Sequence, residues 1–114
     1  PDGQLDEEHF ARLLARQPKL VALPHVSNAL GTIVDVALWS REAKAVGATV
    51  VIDGAQGAPH VAVDVEALGG DFYACSGHKM LGPMGAGVLW GRRDLLVPAA
   101  GGGAAGCHCA AMDN

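Results

Sequence analysis

Two short apolar runs in this sequence stop abruptly at residues that can do chemistry. Val50 to Ile52 runs into Asp53-Gly54-Ala55-Gln56, and Phe72 to Cys75 runs into Ser76-Gly77-His78-Lys79. Buried parallel strands that deliver side chains to a site have this form. In open α/β sheets ligands collect beyond the carboxyl ends of the strands, so Asp53, Gln56, Ser76, His78 and Lys79 are expected to face one crevice. A lysine after one buried strand and a carboxylate at the end of its neighbour suit carbonyl chemistry. The amine can form a Schiff base, and the carboxylate can hold a cationic ring nitrogen.

Each of these residues also has a plainer reading. Lysine after a strand is usually solvated surface, and Asp53 could merely cap the next turn. The neighbours of Lys79 favour a site, because Gly77 permits close backbone approach while Ser76 and His78 can donate hydrogen bonds to a phosphate. A carboxylate ending an apolar strand is expected to be partly buried and therefore paired with a cation. His25 and His60, each beside a proline, read as structural or exposed. Cys107-His108-Cys109 matches no standard zinc spacing and lacks a second ligand pair, so no metal is assigned. The glycines from Gly82 to Gly91 precede a strand instead of joining a strand to a helix, and no Walker A pattern is present, which argues against a nucleotide site.

The elements that must position these groups follow from the pattern. Asp6 can cap a helix running to about Arg16, with Leu5 and Phe10 placed as a hydrophobic staple, and Phe10, Leu13 and Leu14 on one face. Leu20 to Leu23 reads as a strand ending in Pro24-His25-Val26-Ser27-Asn28. Asp35 is a plausible N-cap for a helix in which Val36, Trp39, Ala43 and Val46 recur at helical spacing, and Gly47 is a good residue to close it. Strand, helix and strand from Leu20 to Ile52 make a βαβ unit with parallel strands. Between Gln56 and Asp71 there is room only for a short helix near Asp64 to Leu68. Ala86 to Trp90 is a last strand, and its short connection requires an antiparallel return or a local bend. Asn28, Asp53 and Lys79 stand 25 and 26 residues apart, about one strand and crossover each, which places all three on one edge of the sheet.

With 114 residues, half of them hydrophobic and 18% charged, the chain suits one ordinary α/β unit and is too short for two domains. The expected organisation is a core unit over 1–98 and a flexible Gly/Ala-rich tail over 99–114. A formal net charge of −4 with scattered Lys and Arg gives no footprint for nucleic acid. No apolar run approaches the ~20 residues needed to span a membrane, and no basic leader precedes an apolar core. Three cysteines without disulfide spacing are consistent with a reducing, cytoplasmic location.

Four linked motifs resemble one known family. His25-Val26-Ser27-Asn28-Ala29-Leu30-Gly31-Thr32, Asp53-Gly54-Ala55-Gln56, Ser76-Gly77-His78-Lys79 and Gly82-Pro83-Met84-Gly85-Ala86-Gly87 are similar to those of the class V aminotransferase-like enzymes that use pyridoxal phosphate. The closest likeness is to SufS/CsdA-type cysteine desulfurases, a group that includes selenocysteine lyases, and it covers roughly Asp2 to Leu96. The resemblance implies part of the large domain of the fold type I pyridoxal phosphate enzymes, a mainly parallel sheet with a final antiparallel strand. It further implies that Lys79 holds pyridoxal 5'-phosphate and moves protons, and that Asp53 partners the pyridine nitrogen. Gln56 would bond the phenolic oxygen, Ser76 and His78 the phosphate, and Asn28 the substrate carboxylate.

The reaction implied converts L-cysteine to L-alanine, with sulfur passing to an enzyme cysteine and on to an acceptor protein, in an enzyme that is a homodimer when intact. The family's nucleophilic cysteine lies in a C-terminal region that this sequence does not reach, and none of Cys75, Cys107 or Cys109 takes its place. The family's N-terminal phosphate loop and its C-terminal carboxylate-gripping arginine have no counterpart here either. Other class V activities, such as selenocysteine lyase, kynureninase-like cleavage or epimerisation, and an inactive truncated chain stand as alternatives.

Overall fold

The computed structural model describes residues 3–96, which form a four-stranded sheet with helices packed on one of its faces. The elements run α1 (Glu7–Leu14), β1 (Leu20–Pro24), α2 (Val36–Ala45), β2 (Thr49–Asp53), α3 (Gly57–His60), β3 (Phe72–Ser76), a single 3-10 turn (Gly77–Met80), β4 (Gly87–Gly91) and α4 (Arg93–Leu96). Strand order follows the sequence, β1-β2-β3-β4, with β1/β2 and β2/β3 parallel and β3/β4 antiparallel. The expected α/β architecture and the antiparallel return of the last strand are both observed. The Gly/Ala-rich tail expected over 99–114, including Cys107-His108-Cys109, lies outside the described residues.

Both principal helices begin as their sequences dictate. Asp6 accepts a hydrogen bond from the His9 N–H at 2.8 Å, and Asp35 accepts one from the Leu38 N–H at 3.1 Å. Each cap satisfies one of the donors that a helix start leaves without a partner. Helix α2 ends at Ala45, and Gly47 just beyond it has a φ of +82°, the left-handed conformation glycine adopts without steric cost. Helix α1 ends at Leu14, two residues short of the expected boundary, with Gln17 at a φ of +51° turning the chain toward β1. Phe10 packs edge-on against Trp39, ring centroids 4.3 Å apart, and so ties α1 to α2.

Alternation along the strands decides which side chains enter the core. Val21 and Leu23 of β1, Val50 and Ile52 of β2, and Tyr73 of β3 are buried with Leu14, Val36, Trp39 and Ala43 of the helices. The intervening residues of β1, Leu20, Ala22 and Pro24, are exposed.

The segment between β2 and β3 departs from expectation. The short helix sits at Gly57–His60, and Asp64 to Leu68 is a hydrogen-bonded turn. There Asp64 Oδ1 accepts from the Glu66 and Ala67 N–H groups, both at 3.1 Å. An Asp side chain bonding the backbone two and three residues on competes with helix propagation, and Gly69 and Gly70 end any continuation.

A buried carboxylate fixes the amino-terminal edge of the sheet. Asp71 is 3% exposed. Its Oδ2 accepts from the Val50 N–H at 2.8 Å, while Oδ1 meets Lys44 Nζ at 2.9 Å and Arg92 Nη1 at 3.2 Å. Burial raises its pKa, but the Val50 hydrogen bond and the two cations outweigh this and hold it below its ordinary 3.8. A depressed carboxylate pKa gives stability that is complete above the unfolded value and is lost as pH falls through the folded one.

Replacing Asp71 with Ala strands the buried Val50 N–H but leaves two half-exposed cations that can turn to solvent. The expected loss is therefore about 2–3 kcal/mol, below the full cost of breaking a wholly buried pair. Urea unfolding at neutral pH measures it. Between pH 5 and pH 2 the wild-type midpoint should fall more steeply than that of Asp71→Asn. A smaller test concerns Ser40, fully buried on α2 with no hydrogen-bond partner for its Oγ among the described residues. Ser40→Ala removes an unsatisfied hydroxyl and improves helix propensity, so it should raise stability by about 0.5–1 kcal/mol in the same assay.

Candidate functional site

The carboxyl ends of β1, β2 and β3 lie side by side, because the register aligns Pro24 with Asp53 and Asp53 with Ala74. Asn28 sits in the turn after β1, in a loop closed by the antiparallel bridge between Val26 and Ile33. Asp53 is the last residue of β2, and Gln56 precedes α3. Ser76 ends β3, and His78 and Lys79 lie in the 3-10 turn that follows. All six residues singled out in the sequence therefore occupy one edge.

Contacts draw these loops together. The Gln56 side-chain amide donates to the Asn28 side-chain oxygen, linking the β1 and β2 loops. Helix α3 packs against the 3-10 turn, which brings the β2 loop next to the segment carrying Lys79. His60 adds a hydrogen bond between its Nδ1 and the Gln56 carbonyl at 2.8 Å. No hydrogen bond or ion pair joins Asp53 to Lys79 among the described residues. The half-buried Lys79 amine has no partner there, nor do the side chains of Ser76 and His78.

Asp53 differs from expectation. It is exposed, with no cation beside it among the described residues, and its Oδ1 accepts from the Ala55 N–H at 2.9 Å. The reason is strand alternation. Val50 and Ile52 point into the helix-covered face, so Asp53 points to the opposite face, which the described elements leave open. An apolar strand does not bury its terminal carboxylate when that carboxylate falls on the open side.

Gly77 explains how the 3-10 turn closes. Its N–H donates to the Ala86 carbonyl at 2.8 Å, and its own carbonyl accepts from the Gly82 N–H at 2.9 Å. A Cβ at this position would stand 3.0 Å from the Ala86 carbonyl oxygen, so a side chain would force the two backbones apart.

Two residues beneath this edge were not legible as part of it. His25 and Tyr73 are 5% and 4% exposed, and Nδ1 of one lies 3.1 Å from the hydroxyl of the other. Burial lowers the His25 pKa from its usual 6.5, which keeps the ring neutral at pH 7. Burial also raises the Tyr73 hydroxyl, with Cys75 and Asp53 adding to the effect. His25 was expected to be structural or exposed and is buried, whereas His60 is exposed. Tyr73 carried no signal beyond its place in an apolar strand.

With this geometry in hand, comparison with known proteins is decisive. The family profile described as Aminotransferase class-V matches residues 1–112. The chain belongs to the class-V aminotransferase family. Among its relatives in that family, a cysteine desulfurase of Dickeya dadantii (strain 3937) is 52% identical over 106 residues, covering 90% of this chain and 26% of the relative. A probable cysteine desulfurase of Xylella fastidiosa (strain 9a5c) is 46% identical with the same coverage. The crystal structure of the cysteine desulfurase CsdA from Escherichia coli superposes with a TM-score of 0.74 at 43% identity, covering 80% of this chain and 23% of that one. The apo cysteine desulfurase of Thermococcus onnurineus NA1 gives 0.71, also at 43% identity, covering 82% and 24%. The class-V chain described here thus spans about a quarter of the length of the curated relatives it matches.

The turn that carries Asp53 and Gln56 has no space for side chains beneath it. A Cβ on Gly54 would stand 2.0 Å from Tyr73 Cζ. Gly54→Ala should therefore overpack the site and lower stability by about 1–3 kcal/mol, read from the urea midpoint.

Proposed function

We propose that this chain carries the cofactor-lysine portion of a cysteine desulfurase, with Lys79 as the residue that covalently holds pyridoxal 5'-phosphate. The observation that carries the reading is the gathering of Asn28, Asp53, Gln56, Ser76, His78 and Lys79 along one carboxyl edge of a parallel sheet. Its donor set fits the cofactor. Lys79 offers an amine without a competing carboxylate, Asp53 a carboxylate without a competing cation, and Ser76 and His78 polar groups with no other bond among the described residues. Gly77, where a Cβ would clash, leaves the backbone bare beside them.

The cofactor, when bound, supplies an electron sink for charge developing at a substrate Cα. Residues of this chain would hold and orient it. Asp53 holds a proton on the ring nitrogen, and Gln56 donates to the ring oxygen. Ser76 and His78 bind the phosphate, and Asn28 orients the substrate carboxylate. The Lys79 amine would hold the cofactor and, when free, would remove and return protons at the substrate Cα.

The substrate is L-cysteine and the product L-alanine, with sulfur passed as a persulfide to an acceptor protein by a homodimeric enzyme in the cytoplasm. Identities near 50% to named cysteine desulfurases support this choice of reaction. Cys75 is not the sulfur carrier, because it sits half-buried within β3 and shares the helix-covered face with Tyr73. Among the described residues, no helix is long and apolar enough to cross a membrane.

Reductive trapping tests the assignment. The chain is incubated with pyridoxal phosphate and reduced with borohydride, and the pyridoxyl group is located by peptide mass mapping. Labelling should concentrate on Lys79 and vanish in Lys79→Arg. Equal labelling of Lys19, Lys44 and Lys79 would remove the basis for a cofactor site.

A further inference from the structure

We propose that His25 and Tyr73 are positioning residues whose buried hydrogen bond fixes the direction in which the turn from Asp53 to Gly57 presents Asp53 and Gln56. The inference rests on reading this edge as the cofactor site, and it assigns a task to two residues beneath that edge.

His25 is bonded to the end of β2, to the loop after β1 and to β3. Its backbone N–H donates to the Asp53 carbonyl at 2.9 Å, and its carbonyl accepts from the Val34 N–H at 3.0 Å, closing the loop that carries Asn28. Its ring meets the Tyr73 hydroxyl at 3.1 Å, three residues before Ser76 on β3. One residue thus joins the ends of β1, β2 and β3. The Gly54 N–H donates to the Ala74 carbonyl at 2.7 Å, which pins the start of the turn to the strand beside Tyr73.

The turn then lies directly on the pair. A Cβ on Gly57 would stand 2.4 Å from His25 Nδ1 and 2.9 Å from the Tyr73 hydroxyl, and a Cβ on Gly54 would enter the Tyr73 ring. Neither glycine has a positive φ, so backbone conformation does not demand it. Closeness to the two rings does. Where the rings lie therefore decides where the turn lies, and with it the Gln56 amide that reaches Asn28.

Apolar residues could fill the same volume without desolvating two polar groups, so packing alone does not account for the pair. A hydrogen bond adds a direction that packing lacks. With the His25 ring neutral at pH 7, Nδ1 can accept from the Tyr73 hydroxyl or donate to it. Either arrangement sets the angle between rings that meet edge to face at 82°.

The test reads the Gln56 side-chain amide by nitrogen-15 NMR of the full chain without added cofactor. Tyr73→Phe keeps the ring and removes the hydroxyl. The Gln56 amide signals should move toward free-amide positions and exchange faster with water. Lys44→Met, which weakens the fold at the opposite edge, should lower the urea midpoint and leave Gln56 unmoved. His25→Asn, whose amide nitrogen can occupy the place of Nδ1, should keep the wild-type Gln56 signals, whereas His25→Leu should lose them. This second pair carries the test if Tyr73→Phe does not fold.

Unchanged Gln56 signals in folded Tyr73→Phe or in His25→Leu, or an equal change in Lys44→Met, would overturn the proposal. In the same samples, Tyr73→Phe should weaken pyridoxal phosphate binding by roughly three- to tenfold, the range one net hydrogen bond supports. A wild-type chain that captures no pyridoxal phosphate at Lys79 refutes the cofactor reading separately, since the Gln56 signals are measured without it.

Discussion

The register of this sheet rests on one carboxylate far from the proposed chemistry. Asp71 precedes β3, and its backbone N–H donates to the Val50 carbonyl at 2.8 Å while its side chain accepts from the Val50 N–H at the same distance. The residue before the strand thus bonds both backbone groups of one β2 residue. Its own carbonyl accepts from the Arg92 N–H at 2.9 Å just beyond β4, and Lys44 reaches it from α2. A slip of β3 by one residue would break all of these bonds and carry Tyr73 to the open face of the sheet. Because Val51 is thereby set beside Phe72, Asp53 falls beside Ala74 and the chemical residues of both strands emerge together.

The two edges of the sheet divide the work. At the amino edge the polar groups are satisfied internally: carboxylate against two cations and a backbone donor, in a site whose central residue is almost wholly buried. At the carboxyl edge Asp53, Lys79, Ser76 and His78 have no side-chain partners among the described residues. Unpaired polar groups cost least where water or a ligand can reach them, so the same chemistry that stabilises one end would silence the other. His25 and Tyr73 form the transition between these regimes, a polar pair that is buried yet adjoins the open edge.

How much of this was legible in the sequence depended on whether the signal was local. Asp6 and Asp35 as helix caps, Gly47 as a helix end and the apolar runs of β1 to β4 are short-range features, and each was readable. The common edge of Asn28, Asp53 and Lys79 followed from their spacing. What escaped depended on the face to which a residue points or on partners distant in sequence. Asp53 was expected to be buried because its strand is apolar, yet the odd-even alternation from Ile52 turns it outward. The His25–Tyr73 pair joins residues 48 positions apart, and neither flank advertises the other. Asp71 carried no signal of its own, since a carboxylate's partners on α2 and beyond β4 are set only by the fold.

The even spacing of Asn28, Asp53 and Lys79 conceals two different connections. Between β1 and β2 the chain returns through α2, ten residues long and packed on the core. Between β2 and β3 it uses only the four-residue α3 and then a capped turn. A return to the amino edge must cover the length of a five-residue strand, about 17 Å at strand rise. The ten residues from Val61 to Gly70 can extend to roughly 33 Å, so a full helix is unnecessary for the distance. Apolar cover comes instead from Val63, Val65 and Leu68, which pack partly buried against the core without a helix to carry them. Helix α3, at the start of this connection, packs against the 3-10 turn. This first part of the crossover keeps the Gln56 loop beside the segment that carries the lysine it is proposed to assist.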